Sequence, residues 1–234
     1  MLTFFLILLG MLPGFAWLIF YLHEDIDHPE PKRLILYTFI AGALSTGLVL
    51  IFQIFENTHL FPSCLSIKCS FWETVIPFAA LAAIEEFFKF FAVYLVVSRR
   101  REFDEPIDAM VYMIVSALGF ATVENIGSIF QASAAGFLGP GPLETVTLRF
   151  VGATLLHTLA SGVVGFYWGK ALAKHGSYSG LIVKGLVLAT LLHTIFNYLI
   201  IKTEPLVLPL IFLLFVGMFV LSDFEKLKHP EEIQ

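Results

Sequence analysis

Three charged residues, Glu85, Glu86 and Lys89, lie in the middle of an apolar stretch that is long enough to cross a lipid bilayer, from Trp72 to Val97. A charged side chain at the centre of a membrane helix costs about 2.5–3.5 kcal/mol on insertion scales. Such groups persist where they face a protein interior or a hydrated cavity, and they mark functional sites by default. The sequence therefore predicts a polar site that is buried within the membrane.

The composition of the whole chain agrees with this interpretation. Of its 234 residues, 58% are hydrophobic and 14% are charged, whereas soluble domains are about 45–50% apolar and about 25% charged. No basic patch with interleaved aromatic residues occurs, which argues against nucleic-acid binding. We expect a single all-α transmembrane domain over residues 1–234, multi-pass in the lipid bilayer of a bacterial or archaeal cell membrane.

Seven segments approach the roughly 20 apolar residues that a transmembrane helix needs. They are Leu2–Leu22, Leu34–Phe55, Trp72–Val97, Ile107–Ala132, Thr147–Ala171, Leu181–Ile201 and Leu206–Leu221. The last is the shortest and contains Pro209. The first lacks the basic start and the cleavage site of a signal peptide, so we interpret it as a retained span. The sequence predicts a polytopic helical membrane protein of about seven spans.

The distribution of lysine and arginine predicts the orientation, because cytoplasmic loops carry an excess of both. With the N-terminus outside, the cytoplasmic segments hold Lys32, Arg33, Arg99, Arg100, Arg101, Lys170, Lys174, Lys226 and Lys228, and the outer segments hold Lys68, Arg149 and Lys202. This asymmetry favours N-out/C-in. It places Cys64 and Cys69 in an outer loop, where they either form a disulfide or remain free thiols.

The spacing within the third predicted span allows Lys89 to pair with either of two glutamates. Lys89 follows Glu85 by four residues and Glu86 by three, so it can pair with either carboxylate on one helix face. A self-neutralised pair without chemistry is an alternative, but two acids need more than one cation.

Three later spans carry further polar residues. The fourth holds Glu124 beside Asn125, the fifth holds His157, and the sixth holds His193 with Asn197 one turn on. Each could serve only as a hydrogen-bonding contact between helices. Their depths overlap, so one site built from four helices is feasible, and it would open more easily to the outer face.

Three acids and two histidines, with no paired serine or cysteine nucleophile, suit the activation of water. Burial raises the pKa of a glutamate toward neutrality, so that it can take a proton from water. Alternatively, Glu86, His157 and His193 could hold a divalent metal such as zinc, since two histidines and one carboxylate are a catalytic zinc set. No His-Glu-x-x-His run is present, which excludes an ordinary zincin.

Four motifs follow one another on successive predicted spans: Glu85-Glu86-x-x-Lys89, Phe120-x-x-x-Glu124-Asn125, His157 and His193-x-x-x-Asn197. The ordered set resembles the PrsW family of intramembrane proteases, which are relatives of the CAAX prenyl endopeptidases and of presenilin-associated scaffold proteins. The resemblance implies a membrane protease with its catalytic core within residues 71–201. It also implies site-1 cleavage of membrane-anchored anti-sigma factors in stress signalling.

By position, the resemblance implies that Glu85 or Glu86 is the general base and that His193 is the essential histidine. Asn197 would orient the water or stabilise an oxyanion, and His157 matches the third motif. Glu124 stands where the prenyl proteases have a histidine, which argues against prenylated substrates.

We therefore predict an intramembrane endopeptidase that cleaves a single-span membrane protein near its outer boundary, with Glu86 favoured over Glu85 as the base. A proton- or ion-coupled transporter is one alternative, because buried acids and histidines also form relays. A non-catalytic membrane scaffold is the other, in which the same residues would only join helices.

Overall fold

The computed structural model describes residues 1–23, 29–60, 68–135, 141–173, 178–203 and 206–228. All regular structure in these ranges is helical, which confirms the predicted all-α class. The elements are α1 (Leu2–Leu22), α2 (Lys32–Phe55), a π-helical turn (Glu56–Leu60), α3 (Phe71–Val97), α4 (Pro106–Ala135), α5 (Pro142–Val151), α6 (Ala153–Ala173), α7 (Tyr178–Lys202) and α8 (Val207–Lys228).

The prediction of a multi-pass membrane protein is confirmed. Six helical stretches of the described chain are long and apolar enough to cross a membrane: Leu2–Leu22, Lys32–Leu60, Pro106–Ala134, Pro142–Ala173, Ser179–Lys202 and Val207–Lys228. Helix α3 adds a seventh of sufficient length, with 27 residues, although it carries Glu85, Glu86 and Lys89. The N-out/C-in orientation stays a prediction.

Two predicted spans differ from the observed helices by more than a few terminal residues. The fifth, predicted as one helix from Thr147, begins at Pro142 and is interrupted at Gly152, so that it forms α5 and α6. The seventh, predicted to end at Leu221, continues to Lys228, and Pro209 does not interrupt it. Pro209 is the third residue of α8, and a backbone N–H at that position has no partner within the helix.

The start of α3 is determined by a local capping box. The Ser70 hydroxyl accepts a hydrogen bond from the Glu73 backbone N–H at 3.3 Å, and the Glu73 carboxylate accepts one from the Ser70 N–H at 2.8 Å. Cys69, directly before the cap, is disulfide-bonded, whereas Cys64 lies outside the described residues. The cap defines the first turn of the helix that carries both central glutamates.

Helix α4 lies at the centre of the molecule. It packs against α6, α2 and α1 and is almost wholly buried. The peripheral helices expose large apolar side chains instead, such as Leu44 on α2 and Leu214 on α8, which are 71% and 70% exposed. Such surfaces fit contact with lipid, because lipid chains are as apolar as leucine.

Glycines allow the closest approach between α2 and α4. A Cβ atom on Gly42 would lie 2.0 Å from the Ser116 carbonyl oxygen, and one on Gly119 would lie 2.0 Å from the Phe39 carbonyl oxygen. Both neighbouring atoms belong to backbone, which cannot rotate away. The contact therefore depends on these two glycines, as is common where membrane helices pack closely.

We expect Gly42→Ala to destabilise the protein by about 1–3 kcal/mol, the usual cost of overpacking a close contact. Gly47 on the same helix is the matched control, since a Cβ there meets nothing within 4 Å. Gly47→Ala should be neutral or slightly stabilising. Unfolding midpoints in detergent micelles measure both effects, and equal midpoints for the two variants would contradict the packing argument.

Candidate active site

Five helices bring one group of polar side chains together inside the bundle. Its members share buried or nearly buried positions, and we call them the polar cluster: Glu85, Glu86 and Lys89 on α3, Glu124 and Asn125 on α4, Arg149 on α5, His157 and Ser161 on α6, and His193 on α7. Every sequence-predicted site residue except Asn197 belongs to this cluster. The ionisable groups of separate helices do meet in one place.

Lys89 and Glu86 form the innermost ion pair. The Lys89 ammonium donates to Glu86 Oε1 at 2.6 Å, and both side chains are fully buried. The spacing of three residues on one helix brings the two groups to the same face. Phe120 of α4 packs over the ammonium, with Nζ 5.1 Å from the ring centroid. The lysine is therefore ion-paired with Glu86 and not with Glu85.

Glu86 accepts hydrogen bonds from three other side chains. Besides Lys89, His193 Nδ1 lies 2.9 Å from Oε1, and the Ser161 hydroxyl donates to Oε2 at 3.2 Å. A carboxylate accepts and cannot donate, so His193 presents Nδ1–H to it. These hydrogen bonds connect α3 to α6 and α7. A residue with several fixed partners is suited to orienting its neighbours.

Glu85 differs from Glu86 in having an oxygen without a partner. Its Oε2 is buried and makes no hydrogen bond with any other described residue. His193 Nε2 lies 3.7 Å from this oxygen. Because the Nδ1 proton of His193 is directed to Glu86, the neutral ring has its lone pair on Nε2. An acidic oxygen and an imidazole lone pair thus share one buried space.

His157 has a partner at each ring nitrogen. Nδ1 lies 3.1 Å from the Lys89 ammonium, and Nε2 lies 2.9 Å from Glu124 Oε2. An ammonium group only donates, so Nδ1 accepts and the ring proton lies on Nε2, toward Glu124. The ring stands edge-on to that of His193, with the centroids 5.0 Å apart. His157 connects the inner ion pair to the outer part of the cluster.

Glu124 forms that outer part together with Arg149, a residue that the sequence analysis counted only as an outer-segment charge. The Arg149 guanidinium donates to Glu124 Oε2 at 3.1 Å and also to Asn125 Oδ1. Asn125 in turn donates to the Thr154 hydroxyl at 3.0 Å. The side chains of Arg149 and Glu124 are 20% and 29% exposed, so the cluster is most accessible here.

One feature of the sequence could have identified Arg149 as a member of the site. Arg149 falls two residues inside the predicted fifth span Thr147–Ala171, and a charge inside a span is itself unusual. Asn197 shows the opposite case, since it follows His193 by one turn but no hydrogen bond among the described residues joins it to the cluster. It lines a neighbouring cavity instead, together with Arg149.

One set of three residues could hold a metal ion. Single ligand atoms of Glu85, His157 and His193 lie within 4.8 Å of one another, and all three residues are buried. The unpartnered Glu85 oxygen and the His193 lone pair fit such an ion, since two histidines and one carboxylate suit zinc. His157 fits once one of its two contacts is exchanged. The sequence-based set had Glu86 in place of Glu85.

Comparisons with known proteins agree with the earlier resemblance. Residues 30–222 match the profile of the family described as PrsW family intramembrane metalloprotease. The chain is 31% identical to Protease PrsW of Geobacillus kaustophilus over 201 residues, covering 86% of this chain and 82% of the relative. It is 28% identical to Protease PrsW of Bacillus subtilis over 228 residues, covering 96% of each. No solved structure matches the chain.

Proposed function

Since this chain belongs to the PrsW family of intramembrane metalloproteases, we propose that it hydrolyses a peptide bond of a membrane-anchored protein with a water activated at Glu85. It is a membrane-embedded peptidase and a multi-pass protein of the cell membrane. The observation that carries the assignment to Glu85 is its buried oxygen without a hydrogen-bond partner, which lies 3.7 Å from His193 Nε2.

The proposed reaction assigns a proton transfer to Glu85. Oε2 takes a proton from the attacking water, whose oxygen bonds to the scissile carbonyl carbon. The C–N bond then breaks, and the same carboxyl returns the proton to the leaving amine. Water adds across the bond, leaving one carboxylic acid and one amine. His193 Nε2 faces the same space and helps to orient the water.

Glu86 and Lys89 are proposed as positioning residues. Glu86 holds the His193 ring by accepting from Nδ1–H, so that Nε2 stays directed toward Glu85. Lys89 neutralises Glu86 and contacts His157. These contacts favour Glu85 as the base, whereas the sequence alone favoured Glu86.

The proposal has a second, metal-bound form with an ion at Glu85, His157 and His193, in which Glu85 serves as a ligand instead of taking the proton. The donor set supports it, as does the description of the family as metalloproteases. The chemistry that such an ion supplies when bound is Lewis acidity, which polarises a carbonyl group and eases the deprotonation of water. The chain's own contribution is to hold both histidines, Glu86 orienting His193 and Glu124 orienting His157.

The proposed substrate is a single-span membrane protein, cut near its outer boundary. The family resemblance supports an anti-sigma factor and site-1 cleavage in stress signalling. The distribution of lysine and arginine supports cleavage at the outer side of the membrane. In the N-out/C-in orientation, the exposed end of the polar cluster, at Arg149, lies toward the outer face. The proposed catalytic core lies within residues 71–201.

The metal-bound form predicts that the purified protein contains zinc and loses both zinc and cleavage of a single-span reporter when treated with a chelator. Added zinc should restore both. Metal analysis of Glu85→Gln and His193→Ala should show most of the zinc lost, because each variant removes one of the three ligands. Lys184→Ala is the control, since Lys184 stacks on Tyr167 away from the cluster. If metal-free protein cleaves the reporter at the full rate, the metal-bound form is wrong and the proposed role of Glu85 as the base is unaffected.

A further inference from the structure

A cavity of about 360 Å³ lies beside the polar cluster, between α5, α7 and α8. Two of its lining residues, Arg149 and Asn197, are polar. The others are Leu148, Val151, Gly152, Ala153, Phe196, Ile200, Leu206, Pro209 and Leu210. A mainly apolar cavity with a few polar groups is the usual composition of a ligand site. We call it the α5–α8 cavity.

The interruption between α5 and α6 forms one wall of this cavity. Gly152 separates the two helices with φ −109° and ψ −97°, a backbone conformation outside the helical region. A Cβ atom on Gly152 would lie 2.7 Å from the Leu148 carbonyl oxygen. A side chain is therefore excluded at this point, where α5 ends and α6 begins.

Side-chain contacts connect the lining of the α5–α8 cavity to the polar cluster. Arg149 lines the cavity and donates to Glu124, which contacts His157 Nε2 at 2.9 Å. On α7, Asn197 lines the cavity one turn beyond His193, which contacts both central glutamates. A molecule in the cavity thus lies against residues that border the catalytic groups.

The size of the cavity restricts what can enter it. A volume of 360 Å³ corresponds to a cube with an edge of about 7 Å, whereas a helix with its side chains is about 10–12 Å wide. An intact transmembrane helix does not fit. One large apolar side chain does fit.

We infer that the α5–α8 cavity is a substrate subsite, which receives one apolar side chain beside the scissile bond. Arg149 and Asn197, at its polar side, are placed to bond the peptide groups that the substrate exposes when it unwinds. Those groups need partners in an apolar surrounding. This inference rests on the proposed proteolytic function and adds the residues that determine which substrates are cut.

The test changes the volume of the cavity and reads out side-chain preference. The probes are single-span reporter proteins with Ala, Leu or Phe as a guest residue at successive positions of the outer boundary. Ala153→Leu fills the cavity, and we expect the cleavage ratio of the Phe reporter to the Ala reporter to fall at least about tenfold, since pocket volume discriminates 10–200-fold per methylene. Ile200→Ala enlarges the cavity and should raise that ratio.

Ala16→Leu makes the same substitution on the exposed face of α1 and should leave the ratio at its parental value. An unchanged ratio in both cavity variants would overturn the subsite. So would an equal loss of cleavage for all guest residues.

A second measurement separates the subsite from the proposed chemistry. A photo-crosslinking amino acid at Leu210, in the cavity wall, should capture the reporter in the Glu85→Gln background. One at Phe215, which is 62% exposed and lies about 140° around α8 from Leu210, should not. Capture without cleavage by the parent protein would reject the proposed hydrolysis and keep the subsite. If the parent protein cleaves the reporter and the Leu210 probe crosslinks only to phospholipid, the subsite is rejected and the proposed hydrolysis is kept.

Discussion

Replacing Glu85 by glutamine is expected to lower the rate of reporter cleavage by about 10²- to 10⁴-fold, the usual contribution of a general base. The substitution keeps the shape of the side chain and removes its ability to take a proton. Because Glu85 Oε2 has no hydrogen-bond partner among the described residues, the fold should lose little stability. The measurement is a cleavage assay in lipid nanodiscs, together with an unfolding midpoint for the same preparation.

Glu86→Gln is the matched comparison for this variant. Glu86 accepts from Lys89, His193 and Ser161, so its loss of charge should reduce both cleavage and stability. Comparison of the two variants therefore distinguishes the proposed base, Glu85, from the proposed positioning residue, Glu86. If Glu85→Gln stays within about tenfold of the parental rate while folded, the assignment of the base to Glu85 is wrong.

Replacing Lys89 by methionine is expected to destabilise the protein by about 3–5 kcal/mol, because it leaves the Glu86 carboxylate buried without its cation. Methionine has a similar length and packs as an unbranched apolar side chain. Lys89 is also the group that joins Glu86 to His157, so cleavage should be lost as well. Unfolding in detergent micelles measures the first effect, and the reporter assay measures the second.

Lys226→Met is the control for this prediction. Lys226 pairs with Asp223 at 2.7 Å with the same spacing of three residues, but its side chain is 49% exposed. Exposed pairs contribute about 0–1 kcal/mol, so the unfolding midpoint should change little. The double variant Glu86→Gln/Lys89→Met should regain most of the stability lost in Lys89→Met. Equal destabilisation by Lys89→Met and Lys226→Met would contradict the argument from burial.

Most of the helical architecture could be predicted, because apolar length is a local property of the chain. The bounds of α1 agree with the prediction at both ends, and those of α3 differ by one residue. The interruption at Gly152 was missed, since an isolated glycine in an apolar run is compatible with a continuous helix. Its role depends on the contact with the Leu148 carbonyl, which only the observed backbone reveals.

The members of the site could be predicted better than their arrangement. Glu85, Glu86, Glu124, His157 and His193 were identified because charged and imidazole groups are rare within spans. Arg149 was missed because it was assigned to an outer segment. Asn197 was expected beside the catalytic groups because it follows His193 by one turn, yet that turn places it against the α5–α8 cavity. Catalytic roles remain proposals for all of them.

The sequence by itself determined that the chain is a helical membrane protein, which helices carry ionisable groups, and that Lys89 can reach an acid on its own helix. These properties follow from composition and from the fixed geometry of the α-helix. Only the tertiary structure decided that Glu86 receives Lys89, His193 and Ser161 while Glu85 keeps an oxygen without a partner. Adjacent residues on a helix point about 100° apart, so the packing of α6 and α7 against α3 selects which of the two is bonded.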